Sequence, residues 1–136
     1  MLTGNILTTD GWIYGTLEYE NGRITSLAGE RVDPSTNDAP YILPGFIDLH
    51  VHGGGGSDVM EAGNAIETIT RTHARFGTTS LLATTMTAPR EELMNVVANL
   101  GDVARVRTPG GSRVLGVHLE GPYINPGKLG AQPDAA

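Results

Sequence analysis

Two hydrophobic rhythms divide this chain near residue 44. Before it, apolar and polar positions alternate over short runs, as in half-exposed strands. Residues 5–8 read as a strand that turns at Asp10-Gly11. Residues 12–20 alternate imperfectly, with Trp12, Tyr14, Thr16 and Glu18 opposing Ile13, Leu17 and Tyr19. Asn21-Gly22 then predicts a hairpin, because both positions tolerate positive φ, and residues 23–27 form the returning strand. Residues 33–40 are polar, contain Pro34 and Pro40, and read as a loop.

After Pro44 short apolar runs alternate with stretches of helical spacing. Residues 46–52 form a nearly continuous apolar strand, the pattern of a buried parallel strand, and the glycines at 53–56 end it. Ile66, Ile69 and Phe76, with Ala62 and Ala65, predict a helix over residues 60–76 that Gly77 stops. Residues 78–84 are β-branched and apolar, hence a second buried strand. A second helix starts at Pro89 and buries Leu93, Val96, Val97, Leu100 and Val103 before ending at Pro109-Gly110-Gly111. Residues 113–119 form a third strand, followed by a Gly/Pro-rich loop from Gly121. Strand, helix, strand, helix, strand predicts an α/β fold with a parallel sheet. The expected division is a small β segment, residues 1–43, and the first β/α units of a larger α/β domain, residues 44–136.

Composition narrows the chemistry. The chain has 39% apolar and 18% charged residues, which suits a folded soluble domain. Its net charge is −6 and its nine Lys and Arg residues are scattered, so a nucleic-acid partner is not expected. A small anionic ligand is compatible with that balance, since one placed Arg or Lys holds a phosphate locally. There is no cysteine, so a metal must be held by histidine and carboxylate. The first twelve residues lack the basic start and apolar core of a signal peptide, and no apolar run reaches the length of a membrane span. A cytoplasmic location without a membrane partner is the expectation.

His50 and His52 stand two apart on a predicted strand, so both imidazoles leave the same face. They lie at the strand's C-terminal end, where catalytic groups of a (β/α)₈ barrel gather. An isolated H-x-H is as readily a pair of hydrogen-bonded or surface histidines. Here Pro44-Gly45-Phe46-Ile47-Asp48-Leu49 precedes it and four glycines follow, which favours metal ligation. Glu120 ends the third strand within Val117-His118-Leu119-Glu120-Gly121-Pro122. A carboxylate at the mouth of an apolar strand is either solvated or bound to a cation. His118 reads as a hydrogen-bonding neighbour of the site and His73 as structural. Thr84, Thr85 and Met86 close the second strand, where they can line a pocket. The glycine run lacks both the Gly-Lys-Ser/Thr ending and the spacing of a nucleotide loop.

Pro44-Gly45-Phe46-Ile47-Asp48-Leu49-His50-Val51-His52-Gly53 resembles the first-strand motif of the amidohydrolase superfamily. His118-Leu119-Glu120-Gly121-Pro122-Tyr123-Ile124-Asn125-Pro126 is similar to the third-strand motif of N-acetylglucosamine-6-phosphate deacetylases. The resemblance implies a (β/α)₈ TIM barrel flanked by a small β-sandwich to which the N-terminal segment contributes. It implies hydrolysis of the acetamide of a phosphorylated amino sugar, giving glucosamine 6-phosphate and acetate. Glu120 matches the metal-ligand glutamate, and His50 and His52 match the first-strand metal pair of some members. Others keep a single metal, so one or two divalent ions, zinc first, are compatible. Ala131 and Gln132 match substrate contacts. Many members have His where this chain has Gln132, whose amide donates a hydrogen bond but carries no charge.

The general acid/base and the phosphate-binding residues of the family come from later strands, so the resemblance places none of them in this chain. A complete barrel takes roughly 250 residues. The expectation is therefore the front part of a longer enzyme, a homo-oligomer (dimer) at full length, with residues 1–136 alone inactive and prone to aggregate. Two alternatives stay open: another amidohydrolase, such as a cyclic amidase or deaminase, and a non-catalytic module that retains the motifs.

Overall fold

A computed structural model describes residues 1–134; residues 135 and 136, with which the expected second segment closes, lie outside the described residues. The chain divides into two compact units, Met1–Pro44 and a second opening at Gly45.

The first unit is a four-stranded sheet. Strands β1 (Leu2–Thr8), β2 (Gly11–Glu20) and β3 (Arg23–Arg31) form antiparallel hairpins, and β4 (Tyr41–Ile42) adds to β1 in parallel, giving the order β3-β2-β1-β4. The β2–β3 turn is the one that Asn21-Gly22 predicts, with φ of 50° and 75° at the two residues. Asn5 is fully buried. Its amide donates to Asn37 Oδ1 (2.8 Å) and to the Ala39 carbonyl (3.2 Å), which fastens the proline-containing loop to β1. That loop contains a short 3₁₀ turn, Pro34–Thr36, capped by Asp33. The Ser35 hydroxyl and backbone N–H both donate to Asp33 and hold its carboxyl below the usual range.

The second unit begins with β5 (Phe46–Val51) and a two-residue hairpin, β6 (Gly53–Gly54) with β7 (Ser57–Asp58). Helix α1 (Ala65–Ala74), β8 (Thr78–Thr84), α2 (Arg90–Arg105) and β9 (Arg113–His118) follow. The three longer strands form a parallel sheet in the order β5-β8-β9. This is the α/β alternation that the periodicity predicts, and each helix connects two parallel strands.

Helix α1 starts later than its apolar spacing suggests. Residues 59–61 form a separate 3₁₀ turn, capped by Asp58 through the Met60 N–H, and Ala62 and Gly63 then take φ of 56° and 51°. That left-handed pair cannot continue a right-handed helix. The predicted apolar stripe also fails at Phe76, which lies beyond the helix end and is exposed. Helix α2 agrees better. Leu93, Val96 and Leu100 are buried, Val103 is partly buried, and Glu91, Glu92 and Arg105 complement the helix dipole.

The core joins Val51, Val59, Ile66, Ile69, Leu81, Ala83, Val96, Leu100 and Val114 from the sheet and both helices. Ser112, entering β9, places its Oγ 2.6 Å from the Thr78 carbonyl and 3.1 Å from that of Thr70, tying the strand starts to α1. Strand β5 departs from the buried strand expected of it. It is a sheet edge among the described residues, and Phe46, Ile47 and Leu49 are each about 60% exposed. Its apolar run marks it for burial, but no described element covers these three side chains.

Candidate metal centre

Because β5, β8 and β9 run parallel, their C-terminal ends lie at one end of the sheet. His50 is within β5, His52 directly follows it, and Glu120 stands two residues past the end of β9. The structure brings these three side chains together. His50 Nε2 and His52 Nε2 are 3.0 Å apart. Glu120 Oε2 lies 3.0 Å from the former and 2.9 Å from the latter.

These short distances are not ordinary ion-pair hydrogen bonds. Oε2 is buried, and neither ring N–H is directed at it, so the oxygen has no hydrogen-bond partner among the described residues. The carboxylate oxygen and the two ring nitrogens crowd one point with no hydrogen bond from either imidazole to the carboxylate, an arrangement that costs free energy unless a cation fills it. Nitrogen and oxygen ligands bound at about 2.0–2.2 Å to one ion, at roughly 90–110° to one another, lie about 2.8–3.6 Å apart. The observed separations meet the lower end of that range, so His50, His52 and Glu120 fit a shared divalent ion. The donor set of two imidazoles and one carboxylate suits zinc and its neighbours better than calcium or magnesium.

The backbone beneath the pair is irregular. Asp48 pairs with Leu81, but Val51 pairs with Ala83, so three steps along β5 match two along β8. The extra residue makes a bulge at Leu49-His50. Side chains satisfy its freed backbone groups. Asp48 Oδ1 accepts from His50 N (3.0 Å), Thr84 Oγ1 accepts from Val51 N (2.9 Å), and His118 Nδ1 donates to the Leu49 carbonyl (3.1 Å). The His118 ring also meets that of His50 edge to face at 4.7 Å. The His52 carbonyl accepts from Val59 N (2.7 Å), while His52 Nδ1 is buried without a partner among the described residues.

Two glycine features shape the approach to the site. At Gly121, directly after Glu120, φ is +83° and a Cβ would fall 2.3 Å from Thr87 Oγ1, so a side chain is excluded on both counts. The glycine run presents open backbone only at its tip, where Gly55 and Gly56 are exposed. Gly55 and Gly56, with φ of 65° and 85°, make the tight β6–β7 turn, and the loop packs on α1, where His73 Nε2 donates to the Gly53 carbonyl (3.0 Å).

Ala131 and Gln132 are not drawn into the His/His/Glu triangle. Ala131 is exposed. Gln132 is buried; its Oε1 accepts from Thr87 N (2.7 Å) and its Nε2 lies 3.6 Å from Met86 Sδ. Thr84 and Thr85 are both fully buried beneath the site, and Thr85 Oγ1 accepts a long hydrogen bond from Glu120 N (3.4 Å). In the sequence these threonines read only as pocket lining, because a strand-end hydroxyl carries no periodic signal.

The class that the fold and site define is an α/β protein with a His/His/carboxylate cluster, of the kind that holds a divalent metal, at the ends of parallel strands. The chain belongs to the amidohydrolase family, whose model matches residues 41–134. It is similar to an N-acetylgalactosamine-6-phosphate deacetylase of Escherichia coli O157:H7, 36% identical over 130 residues that cover 94% of this chain and 34% of that protein. It is similar also to an N-acetylglucosamine-6-phosphate deacetylase of Bacillus subtilis (strain 168), 35% identical over 128 residues, 88% of this chain and 32% of that protein. The crystal structure of N-acetylglucosamine-6-phosphate deacetylase from Thermotoga maritima superimposes with a TM-score of 0.82 at 31% identity, covering 98% of this chain and 35% of that one. The chain thus spans about a third of the length of the relatives it matches.

Proposed function

We propose that this chain forms part of a metal-dependent deacetylase that converts N-acetylglucosamine 6-phosphate and water to glucosamine 6-phosphate and acetate. The observation that carries the reading is the unpaired, buried Glu120 Oε2 facing both imidazole Nε2 atoms. The deacetylase relatives and the resemblance at residues 118–126 support the choice of a linear acetamide over a cyclic amide or a deaminated ring.

His50, His52 and Glu120 would hold the ion, with zinc as the proposed metal and one or two ions compatible. When bound, a divalent cation supplies Lewis-acid polarisation of a carbonyl and a water acidified toward neutrality. The chain's own residues have separate tasks. The two imidazoles give neutral lone pairs, and Glu120 supplies the negative charge that offsets the cation. None of the three is free to carry the proton to the leaving amine, so that general acid/base role is assigned to no residue of this chain. Ala131 and Gln132 are proposed as sugar contacts. Gln132 would act through whatever hydrogen-bonding capacity Thr87 and Met86 leave it.

The proposal extends to a (β/α)₈ barrel completed as in the longer relatives, with residues 1–43 contributing to a β-sandwich, and to a cytoplasmic homodimer without nucleic-acid or membrane partners. No helix among the described residues is long and apolar enough to cross a membrane. Residues 1–136 alone are proposed to be inactive. A second reading, the galacto epimer as substrate, has the E. coli relative in its favour. Comparing acetate release from the two 6-phosphates separates them.

The test of the metal role is Glu120→Gln in the full-length protein. Metal content and deacetylase turnover should fall together, each by at least about 10–100-fold, the range seen when even an outer partner of a metal ligand is lost. Full metal occupancy with unchanged turnover would remove Glu120 from the site.

A further inference from the structure

We infer that Thr84 is a positioning residue for the His50–His52 pair: its hydroxyl fixes the backbone that aims the two imidazoles. This rests on the metal-site reading above and extends it to a residue that touches no ion.

In a regular parallel pair the Val51 N–H would bond a carbonyl of β8. The bulge at Leu49-His50 interrupts that register, and Val51 N donates to Thr84 Oγ1 at 2.9 Å. Val51 is the residue between the two histidines, so this bond holds the peptide that links them. Both partners lie inside the protein: Val51 is 4% exposed and Thr84 has no exposed surface. Thr84 Oγ1 can in turn donate to the Leu82 carbonyl, 3.4 Å away, which orients its lone pairs toward Val51. Thr85, the next residue, accepts from Glu120 N at 3.4 Å, and Thr85 N donates to the His118 carbonyl at 3.0 Å. Two successive threonines at the end of the middle strand therefore hold the backbone at both groups of ligands. Thr84 makes the shorter side-chain bond and grips the two-histidine side.

Valine matches threonine in shape but cannot accept a hydrogen bond. Thr84→Val thus removes the side-chain acceptor of the Val51 N–H and frees the bulge to shift. A ligand held about 1 Å off its position binds metal poorly, and losses of a supporting bond around a metal site typically cost about 10–100-fold in affinity. Ser112 supplies the comparison. Its hydroxyl is as buried, makes two carbonyl contacts and lies at the start of β9, at the opposite end of the sheet.

The experiment is calorimetric titration of the metal-free full-length protein with zinc, for wild type, Thr84→Val, Thr84→Ala, Thr84→Ser and Ser112→Ala, with a thermal melt of each. The expected result is zinc affinity weakened about tenfold or more in the Val and Ala variants. Thr84→Ser should bind within about threefold of wild type, and Ser112→Ala should melt lower with zinc affinity unchanged. Wild-type zinc affinity in a folded Thr84→Val or Thr84→Ala variant overturns the inference, as does an equal loss in Ser112→Ala, or failure of both the Val and Ala variants to fold. A wild-type protein that takes up no zinc overturns the metal-site reading itself, a separate outcome.

Discussion

At the scale of single residues, the site depends on where side chains are absent as much as on where they are present. Gly121 follows Glu120 directly, with φ of +83° and Thr87 Oγ1 in the space a Cβ would need. Replacing it by alanine should destabilise the full-length protein by about 1–3 kcal/mol, the usual cost of a non-glycine residue held in the left-handed region. Urea unfolding followed by circular dichroism measures that loss, and an unchanged midpoint would show that the loop relaxes freely. His50, His52 and Glu120 were legible in the sequence because two-residue spacing on a strand fixes a shared face and because their flanking residues are distinctive. Thr84 and Thr85 were not, since their importance comes from a pairing irregularity between β5 and β8 that leaves no mark on either strand alone. The burial of the Gln132 amide was not legible. Its contacts with Met86 and Thr87 join residues 45 or 46 apart through an irregular loop.

At the scale of elements, helical and strand periodicity located every long element and misplaced some ends. The apolar stripe of α2 reads directly from Leu93, Val96 and Leu100, all of which are buried. Leu100 has no exposed surface and packs in the core with the strands that carry the ligands. Leu100→Ala should cost about 2–5 kcal/mol of stability, as for other buried leucine truncations. A guanidinium chloride titration measures it, and a change under 1 kcal/mol would mean that α2 is not a working part of the core. The start of α1 was misread because Met60 and Ala62 suit a helix by composition, whereas positive φ at Ala62 and Gly63 interrupts the backbone there. The β6–β7 hairpin was hidden within a glycine run that signals a turn without saying what pairs beside it. The two-residue β4 is too short to carry a period at all.

At the scale of the whole molecule, the apolar run of β5 and its exposed side chains carry complementary information. Phe46, Ile47 and Leu49 have the composition of a buried strand, yet no described element covers them. The chain's matches span about a third of each longer relative. The parallel order β5-β8-β9 nevertheless brings the first and third strands' ligands to one point across the middle strand. That convergence is the claim on which the proposed chemistry stands. Anomalous diffraction at the zinc edge, from crystals of the full-length protein, tests it most directly. The expected result is an ion within about 2.0–2.2 Å of His50 Nε2, His52 Nε2 and Glu120 Oε2. A fully occupied zinc bound elsewhere, with these three side chains still packed against one another, would contradict it.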